Sequence, residues 1–381
     1  SDISDPLSPS TDSLNTSSEM STYKVENNDT RRAVVQRDDD VLTPAQVEEH
    51  WTEIEEAMKK ELETWAKLKC FSRKLRTEAS NIIDTRWVLK FKWEEAIVDA
   101  TQENFANSSS TAKRTIRARL TLRGFKDRDK WDIDRYAGTS SRGSQKLIVS
   151  EAVLRGWTLC GADISKAFLQ GVTYEELAEL TGEPVREVNF YLPSYNVPQL
   201  RKLKGFEGFD PQREVLHSDK PGTGLVDAPR AFSMKLAKVT RDKCGLIPST
   251  VDPELCYRHD NGVLTCIMCK HVDDLKFAGT PVVVQIVLHE IQKVFGEMKV
   301  NMHEFTNCGV RHTQCPTTKA VTLDQIHFAS NLKTIAHHQL STEQPEDHAD
   351  EELHGLFRSL LGALAYLAHT RVDLLVFICA L

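Results

Sequence analysis

The stretch Cys266-Ile267-Met268-Cys269-Lys270-His271-Val272-Asp273-Asp274-Leu275-Lys276-Phe277-Ala278-Gly279 runs from apolar residues into two adjacent carboxylates and out into a second short apolar run. This pattern predicts strand, tight turn and strand, with the acids at the tip. Neighbouring aspartates repel and raise one another's pKa unless a cation neutralises them. Mg²⁺ prefers one or two carboxylates together with water and substrate phosphate oxygens, so an acid pair on an exposed turn suits metal-assisted phosphoryl chemistry. Aspartate is also an ordinary turn residue, and a bare Val-Asp-Asp fits a solvated hairpin equally well. A further acid from elsewhere in the chain has to decide.

The chain has 381 residues, 40% hydrophobic and 27% charged, which is the composition of a globular protein of two domains or of one domain with lobes. Its formal net charge of −7 argues against a uniformly basic nucleic-acid binder, although a local basic stretch outweighs an overall value. The nine cysteines are odd in number and scattered, with no signal peptide ahead of them, which implies a reduced, intracellular setting. No apolar run approaches the roughly 20 residues that a membrane helix needs, so no membrane partner is expected.

Residues 1–42 are rich in Ser, Asp, Thr and Asn and read as a disordered leader. Thr43-Pro44-Ala45-Gln46 starts a helix, and Val47, Trp51, Ile54, Met58, Leu62 and Trp65 recur on one face of it. Arg86 to Trp93 and Arg117 to Phe125 alternate apolar with basic residues, which predicts two strands with one buried and one cationic face. The polar segment Asn104 to Thr115 would be the loop between them. With Lys113, Arg114, Lys126 and Arg128, this region concentrates positive charge; a solvated strand face and a phosphate-binding face are both consistent with it.

Ser144 to Arg155 reads as a helix stopped by Gly156, followed by the short apolar run Trp157 to Ile164 that contains Asp163. An acid at the end of a buried strand is either a helix cap or a metal ligand. Arg186 to Pro193 reads as a strand. Gly222 and Gly224 lead into a helix that runs to about Cys244, but follow no known phosphate-loop spacing. Pro281 opens a helix with Val284, Leu288, Ile291 and Phe295 on one face, closed by Gly296. His303, Cys308, His312 and Cys315 match no common zinc module, and Cys266 and Cys269 would face opposite sides of a strand as core thiols. Leu353 to Leu381 is expected to be helical with Leu356, Leu360, Leu364 and Leu367 inward, and its apolar ending reads as a truncation.

The order of these motifs resembles the reverse transcriptase region of copia-type retrotransposon polyproteins, from about Trp51 to Asp373. The resemblance rests on Arg86-Trp87-Val88 with Arg117 to Phe125, on Asp163-Ile164-Ser165-Lys166-Ala167-Phe168-Leu169-Gln170-Gly171, on Gly224-Leu225 with Ala228 to Phe232, and on Val272-Asp273-Asp274. Phe357 to Gly362, Tyr366-Leu367 and Thr370-Arg371 are similar to the family segment that precedes its RNase H domain. The resemblance implies an α+β fold, a right-hand polymerase with fingers, palm and thumb and a palm built on an antiparallel sheet. Its divisions would be a leader at 1–42, fingers and palm with the start of the thumb at 43–325, and thumb or connection helices at 326–381.

The implied activity is RNA-directed DNA polymerisation by two-metal nucleotidyl transfer, with Asp163, Asp273 and Asp274 as catalytic residues and ligands of two Mg²⁺ ions, Mn²⁺ being a substitute. Arg117 and Arg119 would bind the incoming dNTP, Arg230 would reach it from the other side, and Phe168 would be a steric gate against a ribose 2′-hydroxyl. His271 would contact the primer end. The implied partners are an RNA or DNA template-primer, a dNTP, and a downstream RNase H domain or a second copy; the implied location is the cytoplasm, in a virus-like particle, or the nucleus. Five positions depart from the family pattern: His271 replaces Tyr, Val226-Asp227 replaces Lys-Gln, Phe232 replaces Trp and Val372 replaces Pro. These leave an inactive relic that folds and at most binds nucleic acid as the alternative, with a metal-dependent nuclease or phosphotransferase as a third.

Overall fold

Thr43 caps helix α1 (Pro44–Glu49) through a reciprocal capping box with Gln46, and the chain continues beyond His50 as α2 (Trp51–Lys67). The computed structural model describes residues 41–94, 113–341 and 348–380. Nearly all of the expected leader and most of the 104–115 loop therefore lie outside the described residues. The boundary at residue 42 needs correction, because Leu42 is buried in the core and its N–H donates to the Leu89 carbonyl.

The predicted stripe of α2 is the one that packs: Ile54, Met58, Leu62 and Trp65 are buried. They meet a five-stranded sheet of order β1-β6-β5-β2-β3, formed by β1 (Phe71–Leu75), β2 (Ile82–Glu94), β3 (Lys113–Leu122), β5 (Asn189–Tyr191) and β6 (Glu214–Ser218). Alternation along β2 sends Ile83, Trp87, Leu89 and Phe91 into this core and leaves Arg86, Lys90 and Lys92 outward. The same rule on β3 buries Ala118, Leu120 and Leu122 and exposes Arg117 and Arg119.

The second lobe is a six-stranded sheet of order β11-β4-β10-β9-β8-β7, with antiparallel pairing throughout. Its strands are β4 (Thr158–Ile164), β7 (Ile247–Pro248), β8 (Leu255–Asp260), β9 (Val263–His271), β10 (Asp274–Gly279) and β11 (Met298–Met302). Helices cover both faces, which is why β9 and β10 read as continuous apolar runs. On one face α4 (Ala228–Asp242) and α5 (Pro281–Phe295) pack on Cys266, Met268, Leu275 and Phe277. On the other, α3 (Arg142–Leu154) packs on Ile267, Cys269 and Ala278. Cys266 and Cys269 thus lie on opposite faces, as the strand period requires. Gly161 of β4 admits the Phe305 ring, which a Cβ would meet at 2.4 Å. Phe305 belongs to a small sheet of β12 (Glu304–Asn307), β13 (Val310–Gln314) and β14 (Val321–Asp324). The molecule is α+β, with antiparallel sheets apart from the parallel β2–β5 pair, and no helix among the described residues is long and apolar enough to cross a membrane.

Two further expectations need correction. The C-terminal helix breaks after α6 (Glu351–Leu367) and resumes as α7 (Leu375–Ala380); Leu356, Ala363 and Leu367 are buried, whereas Leu360 and Leu364 are half-buried. The strand expected over Arg186–Pro193 shrinks to Asn189–Tyr191 because Arg186 is drawn inward. Its guanidinium forms ion pairs with Asp127 and Asp227, whose side chains are both fully buried. Asp227 is therefore a structural residue tied to Arg186. Burial holds its carboxyl above the ordinary range, and the Arg186 charge only partly counters this. Removing the guanidinium strands two buried carboxylates, so Arg186→Met is expected to destabilise the fold by about 3–5 kcal/mol. Urea denaturation measures this, and a loss below about 1 kcal/mol, the scale of a surface ion pair, would contradict the assignment.

Candidate active site

His271 and Asp274 close the β9–β10 hairpin, and Val272 and Asp273 make the turn. Val272 lies at φ 58°, a conformation that costs a β-branched residue on the order of 1–3 kcal/mol. Pairing on the far side of β10 supplies the missing acid. Asp163 stands opposite Asp274 in the β4–β10 register, and Ile164 N–H donates to the Asp273 carbonyl at 3.3 Å. The structure thus gathers Asp163, Asp273 and Asp274 at one end of the sheet.

Burial raises the pKa of Asp273 and Asp274, and the charge of Asp163 adds to this at both; Asp274 also acts on Asp273. Against this, Arg119 favours the charged form of Asp273, while the Cys308 N–H, donating to Asp274 Oδ2 at 3.0 Å, the Asn307 side chain and the His271 ring favour that of Asp274. Burial prevails at Asp273 and Asp274, and three carboxylates held together match the donor set of a hard divalent cation with oxygen ligands.

Beside them opens a cleft of 780 Å³, a size suited to a small ligand, bounded by Asp163, Phe168, Asp273 and Lys299 on one side and by Lys92, Arg117 and Arg119 on the other. Phe168 lies in a 3₁₀ turn, Ala167–Gln170, entered through Lys166 at φ 56°. Desolvation and the neighbouring Arg117 lower the pKa of Arg119, whereas Glu61 and Asp273 support its charge. Arg230 does not join this group. It is buried away from the cleft lining, with Nη1 2.9 Å from Glu183 Oε2 and Nη2 3.4 Å from Asp134 Oδ2. His271 sits beside the carboxylates, bridged through its backbone to Thr139, and its buried Nδ1 lacks a hydrogen-bond partner.

Sequence reasoning missed four contributors. Lys299 on β11 stands opposite Asp163; its signal was only the polar side of a short alternating strand. Glu61 is buried within the apolar stripe of α2, accepts from Trp65 Nε1 at 3.2 Å and pairs with Lys166 across the cleft, and no local pattern announces such a residue. Asn307 and Cys308 reach Asp274 from a hairpin distant in sequence. The set His303, Cys308, His312 and Cys315 does not converge: His312 Nε2 lies 3.1 Å from Lys276 Nζ and Cys315 is exposed. His337, His338 and Asp350 do lie close together. His337 Nδ1 accepts the Gln339 N–H at 3.3 Å, and its Nε2 lies 3.4 Å from Asp350 Oδ2.

No family model matches the sequence. The chain is 25% identical over 305 residues to the retrovirus-related Pol polyprotein from transposon RE2 of Arabidopsis thaliana. It is 24% identical over 309 residues to that from transposon RE1 of the same plant. Each match covers 77% of this chain and 18% of the polyprotein, so the chain spans under a fifth of these relatives. Among solved structures, it overlaps loosely with the apo telomerase from Candida tropicalis truncated from its C-terminal domain, at TM-score 0.35 and 10% identity over 71% of this chain and 59% of that one. The foamy viral protease-reverse transcriptase in complex with double-stranded DNA gives TM-score 0.32 and 11% identity, over 70% and 37% of the two chains. Sequence similarity over 77% of its length thus relates this chain to the retrovirus-related Pol polyproteins of transposons.

Proposed function

We propose that this chain is a reverse transcriptase region that extends a primer 3′-hydroxyl with dNTPs on an RNA template. The observation that carries the reading is the meeting of Asp163, Asp273 and Asp274 beside a cleft whose opposite wall presents Arg117 and Arg119. Opposite charges on facing walls suit a ligand with a polyphosphate tail and a reacting end. Divalent cations held by the three carboxylates would supply charge to activate the primer hydroxyl and to stabilise the leaving pyrophosphate. Arg119 and Arg117 bind the triphosphate oxygens, and Lys299, facing the same cleft, adds a third positive group. Phe168 lines the same cleft as Asp163, and there its ring excludes a ribose 2′-hydroxyl. The outward basic residues of β2 and β3 hold template-primer through phosphates rather than bases. In this assignment the fingers are the first lobe, the palm is the six-stranded sheet and the thumb begins beyond β14.

The inactive-relic alternative keeps His271 and Val226, which stands where the family pattern has Lys; Asp227, in the place of Gln, is paired with Arg186 in the interior.

Primer extension on an RNA template with Mg²⁺ tests the reading. Asp273→Asn with Asp274→Asn is expected to lower the rate by on the order of 10³-fold, the loss of several kcal/mol of transition-state stabilisation. No extension by the parent, with template-primer binding retained, would favour the relic; cleavage without dNTPs would point to a nuclease. In the active protein, Phe168→Ala is expected to relax discrimination against ribonucleotides by roughly 10- to 100-fold, the scale of a steric pocket contact.

The carboxylates also predict a stability signature. A raised folded pKa contributes stability below the unfolded carboxylate pKa, and this is lost as pH rises through the folded value. In metal-free buffer the double Asn variant is therefore expected to melt higher than the parent at pH 7, by roughly 2–4 °C for about 1 kcal/mol, with a smaller gap at pH 4. Adding Mg²⁺ should raise the parent alone. Melting curves check this; a gap that does not change with pH or Mg²⁺ would refute the electrostatic account.

A further inference from the structure

The hairpin joining β12 to β13 turns on Cys308 and Gly309, at φ 50° and 72°, with Asn307 and Val310 as its closing pair. Two successive positive φ values describe a two-residue type I′ turn. The tip of this turn faces two elements at once. Its Cys308 N–H donates to Asp274 Oδ2 at 3.0 Å. Its Cys308 carbonyl accepts the Tyr366 hydroxyl, from α6, at 2.8 Å.

Tyr366 is in turn held on several sides. Its ring packs edge-on against Phe328 at 4.7 Å, and its carbonyl accepts the Gln325 side-chain amide at 3.3 Å, while Thr370 Oγ1 donates to the same glutamine at 3.0 Å. There is no slack at the contact. A Cβ built on Gly309 would fall 1.8 Å from the Tyr366 hydroxyl oxygen, so only glycine lets helix and turn approach this closely. Asn307, 1% exposed, lies beside the same carboxylate, and its side chain also favours the charged form of Asp274.

We propose that Tyr366 is a positioning residue for the carboxylate cluster: through the Cys308 carbonyl its hydroxyl holds the Cys308 N–H against Asp274 and so fixes the orientation of that carboxylate from the C-terminal helix. The inference rests on the reading of Asp274 as a metal ligand. A hydroxyl acting through the backbone of one residue, across its Cα, changes where the carboxylate points, not whether the lobe folds. The separable consequence is weakened metal binding in a protein of unaltered stability.

The test is direct Mn²⁺ binding to the full chain, followed by the paramagnetic resonance signal of the free ion, with melting temperature measured alongside. Tyr366→Phe removes one hydrogen bond and keeps the ring. It is expected to weaken Mn²⁺ binding by about 3- to 10-fold, the size of one hydrogen bond, to lower kcat for primer extension without raising KM for dNTP, and to leave the melting temperature within about 2 °C. Gly309→Ala, which drives a methyl into the same hydroxyl, should weaken binding further, and combining it with Tyr366→Phe should give less than the product of the two single effects. Mn²⁺ binding that is intact in Tyr366→Phe, or effects of the two substitutions that multiply independently, overturns the inference while leaving the polymerase reading untouched. A parent chain that binds no more Mn²⁺ than the Asp273→Asn, Asp274→Asn variant overturns both.

Discussion

The register between β4 and β10 is the constraint on which the rest of the molecule depends. It sets Asp163 against Asp274, while the tight turn keeps Asp273 one residue away. Carboxylates so arranged repel, and burial makes the repulsion worse. The sheet tolerates this because both of its faces are covered: Met268, Leu275 and Phe277 go to one core, and Ile267, Cys269 and Ala278 to the other. A one-residue slip would move each of these side chains to the wrong face, so apolar packing fixes the register and the register in turn fixes the charges.

The same logic explains what was legible in the sequence. Periodicity reveals faces, and it located the stripe of α2, the cationic side of β2 and β3, and the Asp-Asp hairpin with its flanking core. It assigned the paired thiols Cys266 and Cys269 to opposite faces for the same reason. Periodicity does not reveal what a buried polar residue meets. Glu61 occupies an inward position of α2 and looks like an interruption until Lys166 and Trp65 are seen around it. Arg186 lay inside a segment with strand character, and two buried carboxylates from remote parts of the chain shortened that strand to three residues. Arg230, by contrast, was expected in the cleft through resemblance alone; in this structure Glu183 and Asp134 occupy its guanidinium.

These buried polar pairs also determine how the lobes meet. Glu61 belongs to the helix that covers the first sheet, and Lys166 follows the strand that bears Asp163, so their ion pair spans the cleft. Asp127 follows β3 and Asp227 precedes α4, with Arg186 between them. Apolar contact alone leaves the angle between two lobes poorly specified, and ion pairs with one buried partner narrow the arrangements that satisfy them.

Backbone strain is found at the same place. Among the described residues eight non-glycine positions have positive φ, and three of them, Lys166, Val272 and Cys308, lie at the carboxylate cluster: Lys166 after Asp163, Val272 before Asp273, and Cys308 against Asp274. None of these three is an Asn or Asp, the residues that adopt this conformation most readily after glycine. Strain of this kind persists only where surrounding contacts overdetermine it. Here the contacts are visible: the Glu61 ion pair at Lys166, strand pairing on both sides of Val272, and the Tyr366 hydroxyl at Cys308. A chain relaxed at all three positions would be easier to fold but would have no reason to hold three like charges at one point. Strain and electrostatic repulsion at this end of the sheet are thus consequences of the same demand, and the two packed cores stabilise the fold against both.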